Sequence, residues 1–121
     1  MKDENERKPE DLRGRTKRFA LSIIRLYSDL PKNTLAQVLG RQLLRSGTSV
    51  GAHYREACRS RSNAEFISKI EGGLQELEES VYWMELLQDS GTVASDALAV
   101  LMAEADQLTR ILVTCVKKVK P

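Results

Sequence analysis

The side chain best suited to acid–base or metal chemistry is His53, the only histidine in the chain. It follows Leu39 and Ser46 at intervals of seven residues, which places all three on one face of a helix. A lone histidine in such a series is more often a hydrogen-bonded core residue than a ligand. The chain also lacks the Glu-x-x-His elements that build di-metal sites in helical bundles. His53 therefore predicts no metal site.

Cys58 and Cys115 are the other candidate nucleophiles or ligands. Two cysteines are too few for a disulfide framework, and their spacing is not that of a metal site. No glycine-rich phosphate loop, Ser–His–Asp set or Cys–His pair is recognisable. Arg45 and His53 are also too far apart in sequence to match the arginine–histidine motif of helical HEPN ribonucleases. We therefore expect a protein that is not an enzyme and has no cofactor, with reduced thiols in the cytoplasm.

Arginines form the most distinctive charged pattern. At about 100° per residue, four of them fall within about 80° on one helix face, opposite an apolar seam. We call this set the arginine stripe: Arg41, Arg45, Arg55 and Arg59. A basic segment near the N-terminus could extend it: Arg13, Arg15, Lys17 and Arg18. Such a surface can contact the phosphates of a nucleic acid, or the carboxylates of a neighbouring helix or subunit. No aromatic side chain for base stacking accompanies the stripe.

Two further patterns lie in the segment that follows. Glutamates repeat every seven residues beside an apolar seam, at positions 71, 78 and 85. A partly buried carboxylate needs a partner, so we expect Glu78 to pair with Arg45 or Arg55. Trp83 is predicted to point away from the seam, flanked by Leu86 and Leu87. An outward apolar cluster of this kind indicates a subunit or partner interface, unless the N-terminal tail or a loop covers it.

These side chains are predicted to lie on four helices. Apolar residues recur at helical spacing, and we expect a charged flexible tail over residues 1–12 followed by helices at about 15–29, 34–60, 63–90 and 95–118. Pro31 ends the first helix and Gly91 the third, while Ser62 and Glu65 form a capping box. Short turns favour an all-α, antiparallel up-down-up-down four-helix bundle over residues 13–121.

Glycines inside the second helix, above all Gly47 and Gly51, predict a close helix crossing. Each costs about 1 kcal/mol relative to alanine, which is tolerable where another backbone comes unusually close.

No apolar run reaches the roughly 20 residues that span a bilayer. The charged N-terminus also lacks the apolar stretch of a signal peptide. We therefore expect no membrane partner.

Three segments carry a resemblance to a known family. Residues 42–57 (QLLRSGTSVGAHYREA), 64–70 and 76–87 resemble the four-helix bundle proteins encoded by intervening sequences in bacterial 23S ribosomal RNA genes. The likeness extends over about residues 12–118. The chain departs from the family in having His53 where asparagine is frequent, and Gln75-Glu76-Leu77 where Lys-Glu-Ala is frequent.

The resemblance implies an up-down-up-down bundle that assembles into a ring-shaped homopentamer. A related branch, the accessory proteins of diversity-generating retroelements, works with a reverse transcriptase and nucleic acid. Together with the arginine stripe, this favours a non-enzymatic homo-oligomer that binds RNA or DNA, with structured RNA first. The alternative is a protein-interaction scaffold or accessory subunit whose arginines serve subunit contacts.

Overall fold

The computed structural model describes the backbone of residues 9–121 and the side chains from Asp11 onward. Within that part of the chain there are four helices and no strand: α1 (Pro9–Ser28), α2 (Thr34–Cys58), α3 (Asn63–Asp89) and α4 (Ser95–Val119). The predicted all-α, four-helix fold is confirmed. The bounds of α2, α3 and α4 agree with the predicted ones within two residues. None of these helices combines the length and hydropathy needed to cross a membrane.

The prediction for the start of α1 is wrong. Residues 9–12 belong to the helix, not to a tail, while residues 1–8 of the predicted tail lie outside the described residues. The helix starts early because its buried side starts early. Leu12 lies in the core, and the buried hydroxyl of Thr16 donates a 2.8 Å hydrogen bond to the Leu12 carbonyl.

Capping side chains mark the starts of α2 and α3. The Asn33 side chain accepts a hydrogen bond from the Ala36 backbone N–H, and Ser62 accepts one from Glu65. The Glu65 carboxylate accepts from the N–H of Arg61, so only half of the predicted capping box forms. After α3 the chain turns at Gly91, whose φ of 77° is the left-handed conformation that favours glycine.

The core lies along one face of every helix. Its fully buried side chains include Ile23 of α1, Leu43 of α2, Leu77 of α3 and Leu108 of α4. The α2 helix packs closely on α1 and α3, whereas the contact between α1 and α4 is much smaller. Between α2 and α3 a buried hydrogen bond of 2.9 Å joins the hydroxyls of Ser46 and Ser80, so the small residues predicted in the middle of α2 lie at a packed interface.

Glycines let α1 approach α2 closely. A β-carbon at Gly47 would lie 2.8 Å from Cγ1 of Ile23, and one at Gly51 would lie 3.1 Å from the hydroxyl oxygen of Thr16. The predicted close crossing at these two glycines is confirmed. At Gly47 the space is filled by the side chain of Ile23, and at Gly51 by both the side chain and the backbone of Thr16.

Candidate nucleic-acid interface

The arginine stripe lies on the outside of α2. All four of its arginines are exposed, while the opposite face of α2 buries Leu43, Val50 and Ala57. Within the described residues, no ion pair forms at Arg41, Arg55 or Arg59. These three guanidinium groups are therefore available for an external anion.

The ion pair predicted for the stripe forms with different carboxylates. Arg45 pairs with Glu79 at 2.6 Å and with Glu76 at 3.3 Å. Glu78, the predicted partner, is exposed on another side of α3, and Arg55 does not pair with it. The reason is helical geometry, since residues two apart point about 200° away from each other. Glu76 and Glu79 face α2, and Glu78 faces α4.

The N-terminal basic segment divides between two sides of α1. Arg13 and Lys17 are exposed. Because Thr16 contacts Gly51, Arg13 and Arg55 stand about one helical turn beyond that contact and at the same level of the bundle. Arg13 and Lys17 can therefore extend the arginine stripe.

Arg15 and Arg18 face the other way. The Arg15 guanidinium donates two hydrogen bonds, of 2.8 and 3.0 Å, to the two carboxylate oxygens of Glu104 on α4. The hydrogen bond with Glu104 raises the pKa of Arg15, and the pair is mostly buried. Arg18 lines a shallow depression with Val100 of α4. Neither side chain extends the stripe, so the predicted nucleic-acid set is reduced by two.

His53 lies at the edge of the α2–α3 contact rather than within the core. Its ring rests against Gly72, where a β-carbon would come within 2.8 Å of the ring atoms. The Nε2 atom is 3.7 Å from a carboxylate oxygen of Glu76, and the buried Nδ1 atom has no hydrogen-bond partner among the described residues. The prediction of a hydrogen-bonded core histidine is therefore wrong. Among the residues that the structure describes, no three His, Cys, Asp or Glu side chains lie close enough together to hold a metal ion.

The outward cluster predicted around Trp83 is not formed as expected. Leu87 is fully buried in the core, and Trp83 is half-buried against it. Leu86 is only half-exposed. The exposed aromatic ring is that of Tyr82, which meets Trp83 edge-on with ring centroids 5.1 Å apart. Leu87 faces the core because it stands three residues, slightly less than one turn, after the buried Met84.

A groove between α3 and α4 is the feature that the sequence did not reveal. We call it the acidic groove. It has an apolar floor and carboxylates along its sides, and its volume is about 640 Å³. Its lining includes Leu74, Val81 and Met102 on the floor, and Glu78, Tyr82, Glu85 and Asp106 at the sides. The seven-residue glutamate spacing was visible in the sequence, but the α4 side of the groove was not.

Comparisons with known proteins agree with this fold. A model of the family described as 23S rRNA-intervening sequence protein matches residues 11–114. A crystal structure of a protein of unknown function from the S23 ribosomal protein family of Bacteroides thetaiotaomicron is 31% identical, with a TM-score of 0.85. The likeness covers 90% of this chain and 97% of that one. No curated protein matches the chain.

Proposed function

Because the chain belongs to the 23S rRNA-intervening sequence protein family, we propose that it is a non-enzymatic, self-associating bundle that binds structured RNA through the outer face of α2. The observation that carries the proposal is the set of exposed, unpaired cations described above. Arg41, Arg55 and Arg59 stand on one helix face, and on the neighbouring helix α1 Arg13 stands at the level of Arg55, with Lys17 about one turn further along. Such a row can follow a phosphate backbone.

The arrangement of the helices supports this surface. Along α1 and α2 the contacting residues run in opposite order, as Thr16 with Gly51 and Ile23 with Gly47. The same holds for α2 and α3, where Lys69 pairs with Glu56 and Arg45 with Glu79. We infer an antiparallel up-down-up-down bundle, in which the stripe runs along one rigid helix of 25 residues.

Double-helical RNA is favoured over a single strand, because the stripe contains no aromatic ring on which unpaired bases could stack. Recognition would depend on phosphates and helix shape, as is usual for double-stranded RNA. Phosphate contacts alone do not distinguish RNA from DNA, so duplex DNA is the appropriate competitor. We expect no cleavage of the bound RNA.

The test is RNA affinity by fluorescence anisotropy, with a labelled RNA hairpin and a DNA duplex of the same sequence. The triple variant Arg41→Gln/Arg55→Gln/Arg59→Gln should weaken RNA binding by at least about tenfold, because it removes three phosphate contacts. The matched control is Lys32→Gln/Lys117→Gln/Lys118→Gln, which removes the same charge from exposed sites elsewhere. Equal losses in both variants would contradict the assignment to the stripe. A wild-type protein without RNA affinity would overturn the proposal.

The second candidate function is a protein-interaction scaffold. Exposed apolar side chains favour it, among them Leu35, Val38 and Tyr82, because such groups are commonly covered by a partner. Both functions include self-association, for which we propose the homopentamer that the family resemblance implies. Mass measurement by light scattering tests the pentamer, and a monomer at high protein concentration would exclude it.

A further inference from the structure

Two faces of the bundle carry opposite charge around exposed apolar groups. The first is formed by α1 with one residue of α4, and we call it the basic ridge: Arg18, Leu21, Arg25 and Val100. Leu21 is 45% exposed and Val100 is 79% exposed, and both arginines are exposed. An arginine therefore stands about one turn to either side of Leu21.

The second face is the acidic groove between α3 and α4. Its floor of Leu74, Val81 and Met102 is apolar, and the ring of Tyr82 at its side is 53% exposed. Within the described residues Glu78 and Glu85 form no ion pair. Asp106, in contrast, is bound by Arg110 of its own helix at 3.0 Å. The groove therefore offers two unpaired carboxylates beside an apolar surface.

The spacings of the two faces match. Arg18 and Arg25 are seven residues apart, as are Glu78 and Glu85, so each pair spans about 10.5 Å along its helix. In each case an apolar side chain stands between the two charges, Leu21 on the ridge and Val81 in the groove. A helix face with this pattern could pair both charges while its apolar centre covers the floor.

We propose that the basic ridge of one copy of the chain docks into the acidic groove of a second copy. The inference rests on the self-association proposed above and names the surfaces that form it. RNA is a poor occupant of the groove because phosphates would meet carboxylates there.

The contact joins two different surfaces and is therefore heterologous. Repetition of such a contact closes into a ring or continues as a filament, according to the rotation between copies. Arg41, Arg55 and Arg59 take no part in it, so the RNA surface stays free in the assembly. The charges are thus divided between two tasks: Arg18, Arg25, Glu78 and Glu85 serve self-contact, and the outer face of α2 with Arg13 and Lys17 serves RNA.

Charge reversal on each face tests the proposal. The ridge variant Arg18→Glu/Arg25→Glu and the groove variant Glu78→Lys/Glu85→Lys should each be monomeric, with the contact weakened at least about a hundredfold by like charges. An equimolar mixture of the two should associate, because each variant then meets a complementary face. The four substitutions in one chain should restore self-association. Size-exclusion chromatography with light scattering gives the masses, and circular dichroism checks the helices.

Several results would overturn the proposal. A ridge or groove variant that keeps the wild-type mass would do so, and so would a mixture that remains monomeric. Val100→Asp provides an independent test of the apolar part and should also reduce the mass. The control Arg41→Gln/Arg55→Gln should assemble like the wild type. If the wild type is itself monomeric, the proposal of self-association fails. If the wild type assembles but the ridge variant keeps the wild-type mass, only the assignment of the contact to the ridge and the groove fails.

Discussion

Gly14 and Gly47 occupy helical positions that differ in what an added β-carbon would meet. At Gly14 it would lie 3.2 Å from the end of the Arg18 side chain, which is flexible and exposed. At Gly47 it would lie 2.8 Å from Cγ1 of Ile23, a branched side chain that is fully buried. The same substitution therefore separates helix propensity from packing.

We expect Gly14→Ala to stabilise the protein by about 0.5–1 kcal/mol, because alanine loses less backbone entropy in a helix. Gly47→Ala gains the same propensity but should destabilise by about 1–2 kcal/mol, since overpacking a core costs about 1–3 kcal/mol. The free energy of unfolding from urea titrations gives both values. A stabilised Gly47→Ala variant would show that α1 and α2 can separate without cost.

Cys115 offers a pH-dependent test of burial. The Cys115 side chain is half-buried. This burial raises the pKa of the thiol, and the nearby Lys118 lowers it to a smaller extent. Because the thiolate is the reactive form, alkylation of Cys115 in a Cys58→Ser variant should reach half its maximal rate at a higher pH in the folded protein than in urea. The rate of iodoacetamide labelling measures this. Identical pH profiles in the two states would contradict the packing around Cys115.

Individual side chains show where sequence reasoning stops. A helical period places Glu78 relative to Leu77, but it does not say whether α2 or α4 lies on that side. The sequence alone therefore does not show that the carboxylates that reach Arg45 are those of Glu76 and Glu79. The prediction that Trp83 lies on the outer face is wrong for the same reason, since the side chain is half-buried against the core. Which neighbouring helix a side chain contacts depends on the orientation of each helix about its own axis in the bundle.

Helix ends were more predictable because their causes are local. A proline after α1, capping side chains before α2 and α3, and a glycine after α3 each act within a few residues. The start of α1 was missed since its charged sequence conceals a buried side that begins with Leu12. Long-range packing, rather than local preference, extends that helix.

The α1–α4 contact is the least extensive between neighbouring helices, so the polar link between Arg15 and Glu104 should matter. Arg15 donates two hydrogen bonds to Glu104, and both side chains are mostly buried. Arg15→Ala should destabilise the bundle by about 1–2 kcal/mol, as expected for hydrogen bonds to a charged group. It should leave RNA affinity within about twofold, since Arg15 does not face the stripe.

Arg110→Ala is the matched control for this prediction. Arg110 also pairs with a carboxylate, that of Asp106, but both side chains are largely exposed. Exposed pairs within one helix contribute little, so the change should stay within about 0.5 kcal/mol. Thermal unfolding of the two variants under one buffer gives the comparison. Equal effects would indicate that burial of the Arg15–Glu104 pair adds nothing.

Over the whole molecule, near-neutral net charge conceals a separation of charge by face. The formal total is +2, yet the outer face of α2 is basic and the α3–α4 face is acidic. Between these two regions, Arg45 of α2 forms ion pairs with Glu76 and Glu79 of α3. Unpaired charge is thereby left at Arg41, Arg55 and Arg59 on one side and at Glu78 and Glu85 on the other. Each set is free to bind an external partner, and the proposed partners differ in chemistry.

Salt should therefore separate the two proposed interactions. If five cations of the α2 face and its extension contact phosphates, raising NaCl from about 0.1 to about 0.4 M should weaken RNA binding by about two to three orders of magnitude. The contact between copies combines few ion pairs with apolar burial, which salt screens little, so its dissociation constant should change less than about tenfold. Anisotropy and light scattering on the same samples measure both. Loss of the assembly together with the RNA would contradict this division, because it would mean that one set of charges serves both contacts.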